Sequence, residues 1–265
     1  MKNKETYLSK FHELLKNNLK EIDNKEKIAI AFSGGIDSTL MAKLMKDANF
    51  NIACYVVGIE NCQDFLYAEK AAKEVNIKLK KIILKKEDIE KAIKTQTKIL
   101  QEVYKKNKNP ELPHLNPNPV SVSYNLPLFF VAKYAKEKYI VICHGPDDFL
   151  LNSDEKAKDE LDLTFKIEVP QNEATIKHFG KTLLTPYLTH DLSKFCFTLP
   201  HKLKSRKEKD KYILRELAKN LGLSDEIAFR KRKSAQYGSG IMKVMKKIAK
   251  DKGIRINEYL KGNYQ

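Results

Sequence analysis

Cysteine is scarce in this 265-residue chain, and the four that occur, Cys54, Cys62, Cys143 and Cys196, form no C-x-x-C pair. The spacing excludes a zinc knuckle or a paired redox motif and predicts a reduced, intracellular protein. Long apolar runs are missing too. No stretch approaches the ~18 consecutive apolar residues of a membrane span, and the opening MKNKETYLSKFHELLKNN lacks the apolar core of a signal peptide. A cytoplasmic location and no membrane partner are therefore expected. Acidic residues are also in deficit, 34 against 50 Lys and Arg, for a formal net charge of +16. The excess is concentrated late, since residues 201–250 carry 16 basic and 5 acidic side chains. Such a field favours anionic partners, nucleotides or nucleic acid.

With 42% hydrophobic and 9% aromatic residues the chain can bury a sizeable core. Tyr7, Leu8, Phe11, Leu14, Leu15, Leu19 and Ile22 recur at helical spacing and predict an amphipathic first helix. KIAIAF then reads as a strand, SGGID as a glycine turn and STLMAKLMKDA as a helix. NIACYVVGI with DFLYAEKAAKEV, IKLKKIIL with EDIEKAIKTQTKILQEVYKK, and LPLFFVAKYAKEK with YIVICHG repeat the alternation. The expected class is α/β, a mostly parallel sheet flanked by helices with a helical C-terminal part. A loose boundary near 150 divides an α/β core with its N-terminal helix, 1–150, from a mostly helical part, 151–265. After Gly145 strand signals fade. NKNPELPHLNPNP, residues 107–119, packs four prolines and four asparagines into one long loop.

Ligands of such sheets bind beyond the C-terminal strand ends, which puts IAIAFSGGIDSTLMAKLM at the centre of interest. Gly34 and Gly35 permit positive φ and bring backbone amides close to an anion. Ser33 and Ser38 add hydroxyl donors, and the helix start adds its partial positive charge, ~0.3–1 kcal/mol toward a surface anion. A Walker A lysine is absent, and so is the dinucleotide fingerprint.

The S-G-G-x-D-S run resembles the PP-loop of ATP pyrophosphatases, which cleave ATP between the α and β phosphates. By that resemblance Ser33, Gly34, Gly35 and Ser38 hold the pyrophosphate and Asp37 assists Mg2+. VVGIENCQDFLYAEKAAKEV is similar to the second segment of the asparagine synthetase synthetase domain. This implies that Val57, Gly58 and Ile59 line the nucleobase and that Asp64 opens the next helix, with Cys62 where the family commonly has serine. DKYILRELAKNLGLSDEIAFRKRKSAQYGSG is similar to the family's lysine-x-x-leucine-arginine helix and its arginine-x-lysine element. It implies Lys211, Arg215, Arg230 and Lys233 around the phosphates, with Arg232 at the place best matched to the family's catalytic lysine. Arginine there offers a planar fork instead of a compact ammonium.

The fourth segment departs from the family. By the resemblance, CHGPDDFLLNSDE has Asp148 where the family's magnesium aspartate falls, Asp147 beside it, Gly145 at a nucleotide-binding position where the family has an acidic residue, and no Phe-Gly-Gly-Tyr tail. Cys143 and His144 at that strand end offer a thiol beside an imidazole, a candidate nucleophile or sulfur carrier. Met1-Lys2 also lacks the cysteine that starts a glutaminase domain. The resemblance thus implies an ATP- and Mg2+-dependent, AMP-forming enzyme. It would adenylate a carboxylate or amino-acid acceptor and take ammonia or sulfur from solution or a separate donor subunit. Alternatives are a tRNA-modifying PP-loop enzyme, with tRNA as partner, and a degenerate nucleotide-binding module.

Overall fold

The computed structural model describes residues 3–107, 117–151, 154–206, 209–230 and 235–262. Helix α1 (Lys4–Lys20) starts at Asn3, whose side-chain oxygen accepts from the amides of Glu5 and Thr6, and its stripe of Leu8, Phe11, Leu15 and Leu19 is buried. There follow β1 (Ile28–Ala31), α2 (Ile36–Asp47), β2 (Ile52–Ile59), α3 (Gln63–Val75), β3 (Leu79–Leu84) and α4 (Lys86–Asn107). Next come α5 (Pro119–Tyr134), β4 (Tyr139–Val141), α6 (Pro146–Phe149), α7 (Asp154–Leu163), a π-helical turn (Thr164–Glu168), α8 (Val169–Lys177) and β5 (Thr182–Leu184). After α9 (His190–Phe197) and α10 (His201–Lys204), β6 (Ser205–Arg206) and β7 (Lys209–Asp210) pair antiparallel. The C-terminal part holds α11 (Tyr212–Asn220), α12 (Asp225–Ala228), α13 (Ala235–Gly238), α14 (Ile241–Asp251) and α15 (Ile256–Lys261). Most of the proline-rich loop lies outside the described residues.

Among the described residues, five parallel strands form one sheet in the order β3-β2-β1-β4-β5. Alternate side chains of each inner strand enter separate cores. Ile28, Ile30, Cys54, Val56 and Val141 pack with α1, α2, α3 and α11 on one face. Ala29, Tyr55, Val57 and Ile140 pack with α4, α5, α8 and α14 on the other. Burial on both faces explains why KIAIAF and IACYVV read as unbroken apolar runs. Within the part beyond residue 150, expected to be mostly helical, β5 adds a short strand that pairs with β4 at the sheet edge. Three residues are too few to display an alternating pattern.

The strand order fixes where a ligand can sit. The chain steps from β1 outward through β2 to β3, then returns to β4 on the other side of β1. Its connections therefore diverge between the C-terminal ends of β1 and β4, a topological switch point that leaves a crevice there. SGGID follows β1 and CHGPDD follows β4, so the two segments of greatest interest face each other across it.

Candidate active site at the switch point

The turn after β1 is built from its own polar groups. Ser33 and Ser38 hydroxyls lie 3.2 Å apart, Ser38 donates to the Gly35 carbonyl at 3.2 Å, and Thr39 donates to the same oxygen at 2.8 Å. Gly35 begins α2 with no side chain capping it, so the first-turn amides are left to an anion. Gly34 has φ +66, and a Cβ there would lie 2.5 Å from the Ala68 amide nitrogen of α3. Only glycine allows the turn to approach α3 this closely.

Three residues remote in sequence hold the turn. Arg230 donates to the Gly34 carbonyl at 2.6 Å and stacks its guanidinium 3.6 Å from the centre of the Tyr67 ring. Tyr187, fully buried, donates its hydroxyl to the Asp37 carbonyl at 3.0 Å. Lys211 reaches both Asp37 carboxylate oxygens, at 2.9 and 2.8 Å, and Asp147 Oδ1 at 2.7 Å. Its backbone is left-handed, φ +57 at the start of α11. Burial opposes the Lys211 charge, but Asp37 and Asp147 more than offset it and raise its pKa.

Arg215 behaves differently from its expected place around the phosphates. It donates to the carbonyls of Asp210 at 2.6 Å and Ala228 at 2.7 Å, so it ties α11 to the segment that delivers Arg230. Arg232 and Lys233 lie outside the described residues.

The structure turns Asp147, rather than Asp148, toward Asp37. Asp148 accepts from the Thr164 hydroxyl at 2.9 Å. Burial pushes its carboxyl up to about 6; Glu168 and Asp147 push the same way, while His144 and Thr164 counter them. Folding therefore favours protonated Asp148, a contribution complete below the ordinary carboxylate pKa and lost as pH rises through about 6. Asp148→Asn, neutral throughout, is expected to stabilise the metal-free protein at pH 8 by on the order of 1 kcal/mol. Denaturant melts from pH 4 to 8 should show that gain fading toward pH 4.

His144 is engaged by Glu168 and by the Tyr124 hydroxyl, 2.8 Å from Nε2 and 3.0 Å from Nδ1. Burial lowers the imidazole pKa, but Glu168, Asp148 and Asp147 outweigh it and raise it overall. Gly145, expected at the nucleotide, turns the chain from β4 into α6 with φ +110, and a Cβ on it would meet Leu188 Cδ2 at 2.7 Å. It faces the core.

Ser33, Asp37, Ser38, Tyr124, Cys143, His144, Asp147 and Asn172 border a cleft of about 220 Å³. Among the described residues, the buried Asn172 Nδ2 has no hydrogen-bond partner. A smaller cavity of about 70 Å³, walled by Val57, Tyr55, Asp64 and Val131, adjoins it and shares Ser33, Pro127 and Leu128. Val57 borders this slot. Gly58 is enclosed by Cys62 and the C-terminal part, since a Cβ on it would sit 2.3 Å from Cys62 Sγ and 3.0 Å from the Ser239 carbonyl oxygen, and the Ile59 amide donates to the same carbonyl at 2.9 Å. Asp64, in the first turn of α3, has its carboxylate against Gly238, where a Cβ would lie 2.1 Å from Oδ1.

No trio of His, Cys, Asp or Glu among the described residues forms a metal cage. Asp37 and Asp147, however, share the Lys211 ammonium, and two carboxylates plus substrate phosphates are what Mg2+ ordinarily uses. Sequence reasoning missed Tyr187, Tyr124, Glu168 and Asn172. None sits in a motif, and only the fold carries them to the crevice.

The family model described as asparagine synthase matches residues 10–145 and 175–260. A putative glutamine-hydrolyzing asparagine synthetase of Methanocaldococcus jannaschii is 27% identical, over 93% of this chain and 52% of its own length. The glutamine-hydrolyzing asparagine synthetase of Gallus gallus is 26% identical, over 91% of this chain and 45% of its own. The chain spans about half the length of the curated relatives it matches. Among solved structures, NMN synthetase from Francisella tularensis covers 99% of this chain and 87% of its own, at 16% identity and a TM-score of 0.49. No helix among the described residues is long and apolar enough to cross a membrane.

Proposed function

The chain belongs to the asparagine synthase family, and from that premise we propose that it is an ATP-dependent, AMP-forming synthetase working at the β1–β4 crevice. The observation that carries this reading is the convergence of the SGGID turn, Asp37, Lys211 and Asp147 at one point between diverging strands. An acceptor carboxylate attacks the α phosphorus and the bond to the bridging oxygen of pyrophosphate breaks. An amine or related nucleophile then displaces AMP from the acyl adenylate.

The α2 amides and the Ser33 and Ser38 hydroxyls receive the pyrophosphate. Arg230 braces the Gly34 carbonyl so that those amides need no reorganisation when charge develops. Lys211 supplies a cation for the leaving group. Mg2+, held by Asp37 and Asp147 together with the nucleotide, would neutralise phosphate charge. Val57 and its slot take the base, and Tyr124, His144 and Asn172 form the wall open to the acceptor.

ATP–pyrophosphate exchange across amino acids, small carboxylates and tRNA tests this reading. Exchange that depends on a small carboxylate supports it. Exchange with tRNA alone, weakening steeply with salt, would transfer the assignment to nucleic-acid modification, the second reading that the basic 201–250 segment favours. ATP binding without any exchange would mean a nucleotide-binding module. Once an acceptor is known, Asn172→Ala is expected to raise its KM by about tenfold, the scale of one hydrogen bond to a buried donor. The KM for ATP should be unchanged in the same initial-rate measurements.

A further inference from the structure

Asp37 and Asp147, the carboxylates that fit a divalent cation, already share a positive charge in the free chain. The Lys211 ammonium lies 2.8 Å from Asp37 Oδ2 and 2.7 Å from Asp147 Oδ1. The lone pairs that accept its N–H bonds are those a hard cation would need. Lys211 is 7% exposed, so leaving both carboxylates without another anion would strand a buried charge. Its left-handed backbone, φ +57, is uncommon for a residue with a side chain. Asp147, in contrast, has a side chain 80% exposed, so one arm of the clasp can open without unpacking the core.

We propose that Lys211 is a built-in placeholder for the metal: it closes the Asp37–Asp147 pair to divalent cations until nucleotide phosphates draw the ammonium away. The inference rests on the ATP-binding reading above and extends it to an order of binding. Polyphosphate oxygens are the alternative partners that a desolvated ammonium requires. Metal and nucleotide therefore enter as a unit, and the same displacement delivers Lys211 to the phosphates on which leaving-group charge appears.

Mn2+ binding to the full chain, read from the paramagnetic resonance of free Mn2+, tests this without turnover. Wild type alone should take up no Mn2+ at this pair, and wild type with α,β-methylene ATP should take it up. Lys211→Gln should bind one Mn2+ without nucleotide at least about tenfold more tightly than wild type, and adding Asp37→Asn should remove that site. Thermal unfolding verifies that the variant is folded, and Lys211→Met replaces it where it is not. Equal Mn2+ binding by wild type with and without the analogue would overturn the proposal, as would a folded Lys211 variant that gains no site. If the variant gains the site while wild type never binds Mn2+ with the analogue, the nucleotide reading fails and the occlusion by Lys211 stands.

Discussion

Asp37→Asn is expected to reduce ATP–pyrophosphate exchange by at least about 10²-fold, the scale on which one preorganised electrostatic group acts on a reacting centre. The substitution preserves shape. Asp37 lies in the first turn of α2, and its backbone carbonyl still accepts from Tyr187. What disappears is the charge that anchors Lys211 and, on the proposed reading, faces the phosphates, together with one of the two carboxylates suited to Mg2+. Lys211 keeps Asp147 as a partner, so the folding cost should stay within about 1–3 kcal/mol, that of weakening a hydrogen bond to a buried charged group. Exchange and thermal melts on the same preparation separate the two effects. A folded variant exchanging within tenfold of wild type would take Asp37 out of the reacting centre.

The expected α/β class, a mostly parallel sheet flanked by helices, was legible because its signals are local. Strand, glycine turn and helix lie within residues 28–47, where apolar runs and two glycines suffice to reveal them. The family match supports the same class, and the sheet order completes it. The site was legible only in part, because its members come from positions 37, 147, 187, 211 and 230. The choice between Asp147 and Asp148 shows the limit. A short helix starts at Pro146, and in a helix consecutive side chains point roughly 100° apart, so only one of the two can face Asp37. Which one depends on how Gly145 leaves β4 at φ +110, information that composition does not carry. Glu168 was hidden for a similar reason: it ends a π-helical turn, whose wider winding shifts the face a side chain presents relative to an α-helix.

Gly34→Ala should show how tightly the phosphate turn depends on its neighbour. Two costs combine. A residue with a Cβ at φ +66 is strained by roughly 1–2 kcal/mol relative to glycine, and the new methyl would lie 2.5 Å from the Ala68 amide and 2.6 Å from the Tyr67 carbonyl carbon. Those atoms belong to the backbone of α3, which cannot swing aside as a side chain would. The turn or the helix must move, and the 2.6 Å bond from Arg230 to the Gly34 carbonyl then loses its geometry. Overpacking of this kind adds about 1–3 kcal/mol, and a displacement near 1 Å at a positioning group costs about 10²-fold in rate. Gly180→Ala is the matched control, because Gly180 has φ +69 with nothing within 4 Å of its virtual Cβ. It precedes β5, at the end of the sheet away from the crevice. The control should lose only the backbone contribution and keep full exchange, while Gly34→Ala should lose stability and exchange together. Equal stability losses in the two variants, with exchange intact in both, would show that contact with α3 does not shape the phosphate turn.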